Sequence, residues 1–142
     1  MSSFNILVLS GDGVGPEVMV EALKVLDVVQ ASSNVKFNLT HDLTGGCSID
    51  KHGVAVTQEV TELAKKADAV FFGSAGGPKW GAGKVRPEEG LLTLRKELDT
   101  FANLRPCKFY SKSLLHLSVL RRESVEGTDF MLSTSNSHLE KF

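Results

Sequence analysis

The run Phe4 to Leu9, FNILVL, ends abruptly in Ser-Gly-Asp-Gly, and this junction constrains the fold more than any other stretch. A short, continuous apolar run suits a strand covered on both faces, as in a parallel sheet. Pro16 then stands where a first helical turn tolerates proline, Glu17 complements the positive end of a helix, and Val18, Ala22, Val25, Leu26 and Val29 recur at helical spacing. Strand, turn and helix follow in that order. VKFNLT, residues 35–40, alternates like a half-exposed strand, and Thr57 is placed to cap TQEVTELAKKA, whose Val60, Leu63, Ala64 and Ala67 share one face. DAVFFG reads as a second buried strand. Strands alternating with helices predict an α/β fold, a mostly parallel sheet flanked by helices, with its ligand site beyond the strand carboxyl ends.

With 142 residues, 42% of them apolar, the chain is long enough to bury one sizeable core. Its net charge of −1 gives no global attraction to nucleic acid or to an anionic membrane. Cys47 and Cys107 fit no metal or redox spacing and are expected as reduced thiols. The first residues lack the basic and long apolar regions of a signal peptide, and the apolar run is too short to span a bilayer, so a cytoplasmic protein is expected. His41, His52, His116 and His138 show no metal-ligand spacing, and no G-x-S-x-G, P-loop or H-E-x-x-H motif supports a hydrolase or nucleotidase.

Two glycine-rich loops follow predicted strands. In SGDGVGPE, Gly11, Gly13 and Gly15 would let the backbone approach a phosphate or carboxylate, or would serve a tight turn of positive φ. The spacing is G-x-G-x-G rather than G-x-G-x-x-G, and Asp42 comes later than the ribose-binding acid of that fingerprint. The second loop, GSAGGPKWGAGKVRPEEG at residues 73–90, is longer than a connection needs and adds Lys79, Trp80, Lys84 and Arg86. Its tryptophan is either a surface anchor or a cofactor contact. Pro87 then opens a helix with Leu91, Leu94, Arg95 and Leu98 at helical spacing, and FANLRPCKFY reads as extended, with Arg105 before a proline. Each arginine would either bridge to a nearby acid or grip an anion in a bidentate fork. Two of them beside a glycine-rich loop point toward a small polycarboxylate.

Taken together, GDGVGPE at 11–17, GSAGGPKW at 73–80 and RPEEGLLTLRKELDTFANLRPCKFY at 86–110 resemble the 3-isopropylmalate dehydrogenases of the isocitrate/isopropylmalate dehydrogenase family, most closely their fungal form. VEGTDFML carries the resemblance to Leu132. It implies the N-terminal part of that family's α/β fold, incomplete: residues 1–103 as a segment of the first domain, 104–132 as the start of the second, dimerisation and substrate domain, and 133–142 as a divergent tail. It implies oxidation of (2R,3S)-3-isopropylmalate by NAD and decarboxylation, assisted by Mg or Mn, to 4-methyl-2-oxopentanoate in leucine biosynthesis, carried out by a homodimer. It further implies that Arg95 and Arg105 bind substrate carboxylates and that Glu88, Leu91 and Leu92 meet the isopropyl group and the nicotinamide end. The loop of Gly77, Pro78, Lys79, Trp80, Gly81, Ala82, Gly83, Lys84, Val85, Arg86, Pro87 and Glu88 would contact NAD. Isocitrate-using relatives place polar residues where Leu91 and Leu92 stand, and an apolar wall suits an isopropyl tail while leaving a third carboxylate unpaired. Because the family does not seat its cofactor on the dinucleotide fingerprint, GDGVG is not read as one.

Beyond Leu132 the family pattern runs through a Val-Arg-Glu-Leu-type segment to a Gly-Gly turn and a catalytic tyrosine, whereas this chain reads STSNSHLEKF. Thr134 falls at about the place of a third substrate arginine, and Val119 stands where many relatives have proline. No residue matches the catalytic tyrosine and lysine, the metal-binding aspartates or the adenosine-binding segment. The chain is therefore expected to be inactive alone, for want of an oxygen-rich metal site and a matched acid and base. Its retained strands are expected to expose edges and apolar faces. The alternative is a non-catalytic chain that binds ligand weakly or pairs with a full-length homologue.

Overall fold

Strand β1 (Ser2–Gly11) contains the N-terminal apolar run and lies at the centre of a parallel sheet. The computed structural model describes residues 2–81 and 84–135, and the chain divides into two compact units, Met1–Asp99 and Thr100–Phe142. In the first unit β1 is followed by α1 (Gly15–Ser32), β2 (Val35–Asp42), α2 (Gly46–His52), α3 (Gln58–Lys66), β3 (Ala69–Ser74), a 3-10 turn at Pro78–Trp80, and α4 (Glu88–Glu97). The strand order is β2-β1-β3, all parallel, with Ile6 in register with both Leu39 and Ala69.

Successive side chains of a strand point to opposite faces, and β1 uses both. Ile6 and Val8 pack with Met19 of α1, joined by Ala22, Leu23 and Leu26, while Leu7 and Leu9 pack with Val60 and Ala64 of α3 and Leu94 of α4. Leu7, Val8 and Leu9 are at most 1% exposed, each a gain of about 1.5–3 kcal/mol. The cap of α3 is as the sequence predicts: Thr57 Oγ1 accepts from the Val60 amide at 3.3 Å. At the surface, Lys65 Nζ meets Glu97 Oε2 at 2.7 Å and joins α3 to α4.

Three features depart from the sequence expectation. On α1 the buried face carries Met19, Ala22, Leu23 and Leu26, whereas Val18, Val25 and Val29 are 53%, 62% and 41% exposed. The helix bears two adjacent apolar stripes, and the one with the longer side chains fills the space above the sheet; periodicity cannot choose between them. Strand β3 is half-buried rather than fully buried, because among the described residues it pairs only with β1. Helix α2 has no sequence signal of its own, being 7 residues long between Gly45 and Gly53.

In the second unit, β4 (Ala102–Lys108) pairs antiparallel with β5 (Asp129–Ser135), with a 3-10 turn at Lys112–Leu117 and α5 (Arg122–Val125) between them. Residues 103 and 104 are thus neighbours in one strand. Leu115 and Val125 are buried, but Leu104, Phe130, Met131 and Leu132 are 61%, 56%, 56% and 45% exposed, so both faces of the ribbon carry uncovered apolar side chains. Ser133, Thr134 and Ser135 complete β5. Residues 136–142, with His138, and Ala82 and Gly83 lie outside the described residues. Among the described residues no helix is long and apolar enough to cross a membrane.

What positions the loops of the first unit is Asp12, 3% exposed. Gly11 turns the chain at φ +73°, and a Cβ there would overlap the Ser74 carbonyl oxygen. The Asp12 amide donates to Ser74 O at 2.7 Å, and Ser74 Oγ donates back to Asp12 O at 2.8 Å. The carboxylate accepts from the amides of Gly46 (2.6 Å), Cys47 (2.8 Å) and Gly76 (2.9 Å). One side chain thus ties together the connections that leave β1, β2 and β3.

Urea unfolding followed by circular dichroism checks both layers of this description. Leu9→Ala is expected to lower the unfolding free energy by about 2–5 kcal/mol, whereas Val25→Ala is expected to change it by no more than about 0.5 kcal/mol. Asp12→Ala leaves its amide donors without an acceptor, at about 1–3 kcal/mol per unsatisfied group, and is expected to destabilise the chain by at least about 3 kcal/mol. Asp12→Asn, which keeps one acceptor oxygen, is expected to lose less; an unchanged midpoint for Asp12→Ala would show that the carboxylate is no tie.

Candidate functional site

Because β2 and β3 flank β1 on opposite sides, the connections diverge at the carboxyl ends of the strands, the place where open α/β sheets take ligands. Backbone lines it. A Cβ on exposed Gly13 would meet only Gly76 O, at 3.7 Å. Gly76 has φ +107°, a conformation that favours glycine, and its Cα side faces the tip of the exposed Glu88 side chain, whose Oε1 would stand 2.6 Å from a Cβ there and could swing away from it. Gly13, Gly76 and Gly77 therefore present bare peptide beside the Glu88 side chain.

The loop beyond Gly77 is seated on α2. Trp80 lies over Gly46, where any Cβ would overlap the indole. Its Nε1 donates to Asp50 Oδ1 at 3.1 Å, and Lys79 Nζ donates to Asp50 Oδ2 at 2.6 Å while standing 5.2 Å from the centroid of the indole. The bond from Lys79, then that from Trp80, holds the Asp50 carboxyl below its ordinary value. Trp80 is therefore an anchor within this unit. Gly81, Lys84 and Arg86 are exposed, Val85 is half-buried and Pro87 is buried. The Arg86 amide donates to Glu89 Oε1 at 3.0 Å as α4 begins.

Helix α4 divides its faces. Gly90 and Leu94 turn inward: a Cβ on Gly90 would come within 2.7 Å of Ala55 O, and Leu94 enters the core. Glu88, Leu91, Leu92 and Arg95 recur at the spacing of a single stripe on the other side. Leu91 and Arg95 are half-buried, and Leu92 and Glu88 are exposed. A carboxylate, an apolar pair and a guanidinium thus follow one another along one face, starting beside Gly76.

Arg105 belongs to the second unit. It is exposed on β4, in register with Leu132, and with its side-chain oxygen turned toward Arg105, Asn103 accepts from Nε at 3.3 Å and Nη2 at 3.1 Å. Thr134 pairs with Asn103, so Asn103, Arg105, Leu132 and Thr134 share a face. Among the described residues no group of three His, Cys, Asp or Glu side chains converges on a metal position. Burial pushes the Cys47 thiol up, and its Sγ donates to Thr44 O at 3.1 Å, which suits an inert cysteine.

Two residues that organise the site were missed in the sequence. Asp12 stands inside a glycine turn, where an acid invites suspicion of amide binding. Asp50 carries no local signal, since its partners are 29 and 30 residues away.

The family model described as isocitrate/isopropylmalate dehydrogenase matches residues 5–137, past Leu132. The chain is 58% identical over 130 residues to a 3-isopropylmalate dehydrogenase of Pichia angusta, covering 92% of this chain and 36% of the relative. It is 60% identical over 129 residues to that of Blastobotrys adeninivorans, covering 90% of this chain and 36% of the relative. A β-decarboxylating dehydrogenase from Thermococcus kodakarensis superposes with a TM-score of 0.66 at 30% identity, covering 95% of this chain and 34% of that one. The chain thus spans about a third of the length of the curated relatives it matches. On the family match, the shared motifs and the common fold, it belongs to the isocitrate/isopropylmalate dehydrogenase family.

Proposed function

We propose that the chain serves as the N-terminal part of a 3-isopropylmalate dehydrogenase, acting in the cytoplasm within a homodimer on (2R,3S)-3-isopropylmalate and NAD. The observation that carries this reading is the outer stripe of α4. Arg95 supplies a permanent positive charge for a malate carboxylate, and Leu91 and Leu92 present an apolar wall to the branched tail. Glu88, next to the bare backbone of Gly76, marks where the nicotinamide end would lie. NAD, when bound, accepts the hydride. The residues of this chain bind and orient: Gly13, Gly76 and Gly77 offer peptide surface, Arg95 fixes the substrate's charge, and the leucines exclude water from its tail. Arg105, on the second unit, is assigned to another carboxylate. The described residues offer no cradle for the magnesium or manganese ion of the family's chemistry.

A second reading, a non-catalytic chain that pairs with a full-length homologue, is favoured by the uncovered apolar side chains of β4 and β5. Co-purification with a full-length fungal relative, without any ligand binding, would select it.

Calorimetry with 3-isopropylmalate and isocitrate tests the first reading. The chain is expected to prefer 3-isopropylmalate, and Leu91→Ser with Leu92→Ser is expected to reduce that preference about tenfold, the order that lost methylene contacts carry. Equal or tighter binding of isocitrate by the unsubstituted chain would remove the assignment. Incubated alone with 3-isopropylmalate, NAD and Mg, the chain is expected to form no NADH, and sustained absorbance growth at the NADH band would contradict this.

A further inference from the structure

We propose that Asp50 is a positioning residue for the glycine-rich loop: by holding Trp80 and Lys79 against α2 it fixes the Gly77–Trp80 turn in the orientation that receives NAD. This rests on the cofactor reading above, and it deepens that reading by naming a residue outside the loop that acts through it.

The geometry is that of a two-point mounting. At one end of the segment, the Gly76 amide is fixed by Asp12, which also holds the amides of Gly46 and Cys47 where α2 starts. At the other end, Asp50, one turn further along α2, takes Trp80 Nε1 on Oδ1 and Lys79 Nζ on Oδ2. Both carboxylate oxygens are used, so the plane of the group is set as well as its position. The indole rests where only glycine permits it, on Gly46, and the Lys79 ammonium stands 5.2 Å from the ring centroid. Asp12 thus links one end of the segment to the start of α2, and Asp50 of α2 holds the other end directly. The segment needs such a grip, because Gly76, Gly77 and Gly81 leave it little stiffness of its own. Exposed ion pairs add little to global stability, so the consequence of this contact is local order.

Trp80 is the only tryptophan of the chain, so its fluorescence reads the seat directly. Asp50→Ala is expected to shift the emission to the red and to raise acrylamide quenching toward that of free tryptophan, with far-ultraviolet circular dichroism and the urea midpoint close to those of the unsubstituted chain. It is also expected to weaken NAD binding about tenfold, a change of about 1.4 kcal/mol. Lys79→Met, which leaves the indole bond, is expected to give a smaller effect, and Asp50→Glu to restore part of the loss. Emission and quenching unchanged in Asp50→Ala would overturn the seating role. An exposed Trp80 in Asp50→Ala, with NAD binding unchanged from that of a binding-competent parent chain, would overturn the link to the cofactor. A parent chain that ignores NAD in both fluorescence and calorimetry would overturn the cofactor reading itself, while the response of Trp80 to Asp50→Ala still decides the seat.

Discussion

The carboxylate of Asp12 is the contact on which the rest of the first unit's loop architecture depends. A parallel sheet delivers its strands to one end and then scatters their connections, so something must gather them. Here one buried acid accepts the amides of Gly46, Cys47 and Gly76, while its own backbone exchanges bonds with Ser74. Burying a carboxylate is costly unless its lone pairs are met, and three amides meet them without introducing a counter-charge. The Trp80 turn follows Gly76 and is seated on α2, whose first amides the same cluster holds, so its two ends are tied to elements that Asp12 links. The same acid contributes to raising the Cys47 thiol, after burial itself, so the centre that orders the loops also keeps the adjacent cysteine protonated.

The two units differ in how completely they are packed. In the first, the helices cover both faces of β1, and Leu7, Val8 and Leu9 leave almost no surface. In the second, β4 and β5 form a two-stranded ribbon whose apolar residues on both faces meet solvent, with Leu115 and Val125 buried beside the ribbon's connection. A two-stranded ribbon is marginal in water without a packed face. The contrast is one of hydrophobic coverage, and it locates the stability of the described chain in the unit that carries the glycine-rich loops and α4.

Local chemistry was legible in the sequence and tertiary chemistry was not. The apolar run FNILVL, the Thr57 cap and the helix opened by Pro87 each announce themselves within a few residues, and each lies where the pattern puts it. The stripe of Glu88, Leu91, Leu92 and Arg95 was readable for the same reason, since helical spacing is a local property. Helix α2 was invisible because it is short and its ends are set by glycines rather than by periodicity. Asp12 and Asp50 act across 34 to 64 and 29 to 30 residues respectively, and no local pattern encodes such distances. The misassigned face of α1 has a third cause, namely that valines and longer apolar side chains both obeyed the helical period, and only the volume above the sheet decides between them.

Helix α4 shows why recognition and folding need not compete in this chain. Its inward face is committed: Gly90 allows backbone approach to Ala55, and Leu94 completes the core with Leu7, Leu9, Val60 and Ala64. Its outer stripe makes no such commitment at Leu92, which is 43% exposed, so the polarity of that wall can change with little effect on the fold. Selectivity between an isopropyl tail and a third carboxylate is a difference of affinities, and an apolar wall acts chiefly by leaving the wrong group unpaired. On the proposed reading of the stripe, its polarity could therefore change selectivity in this chain without touching the Asp12 cluster or the inward face of α4.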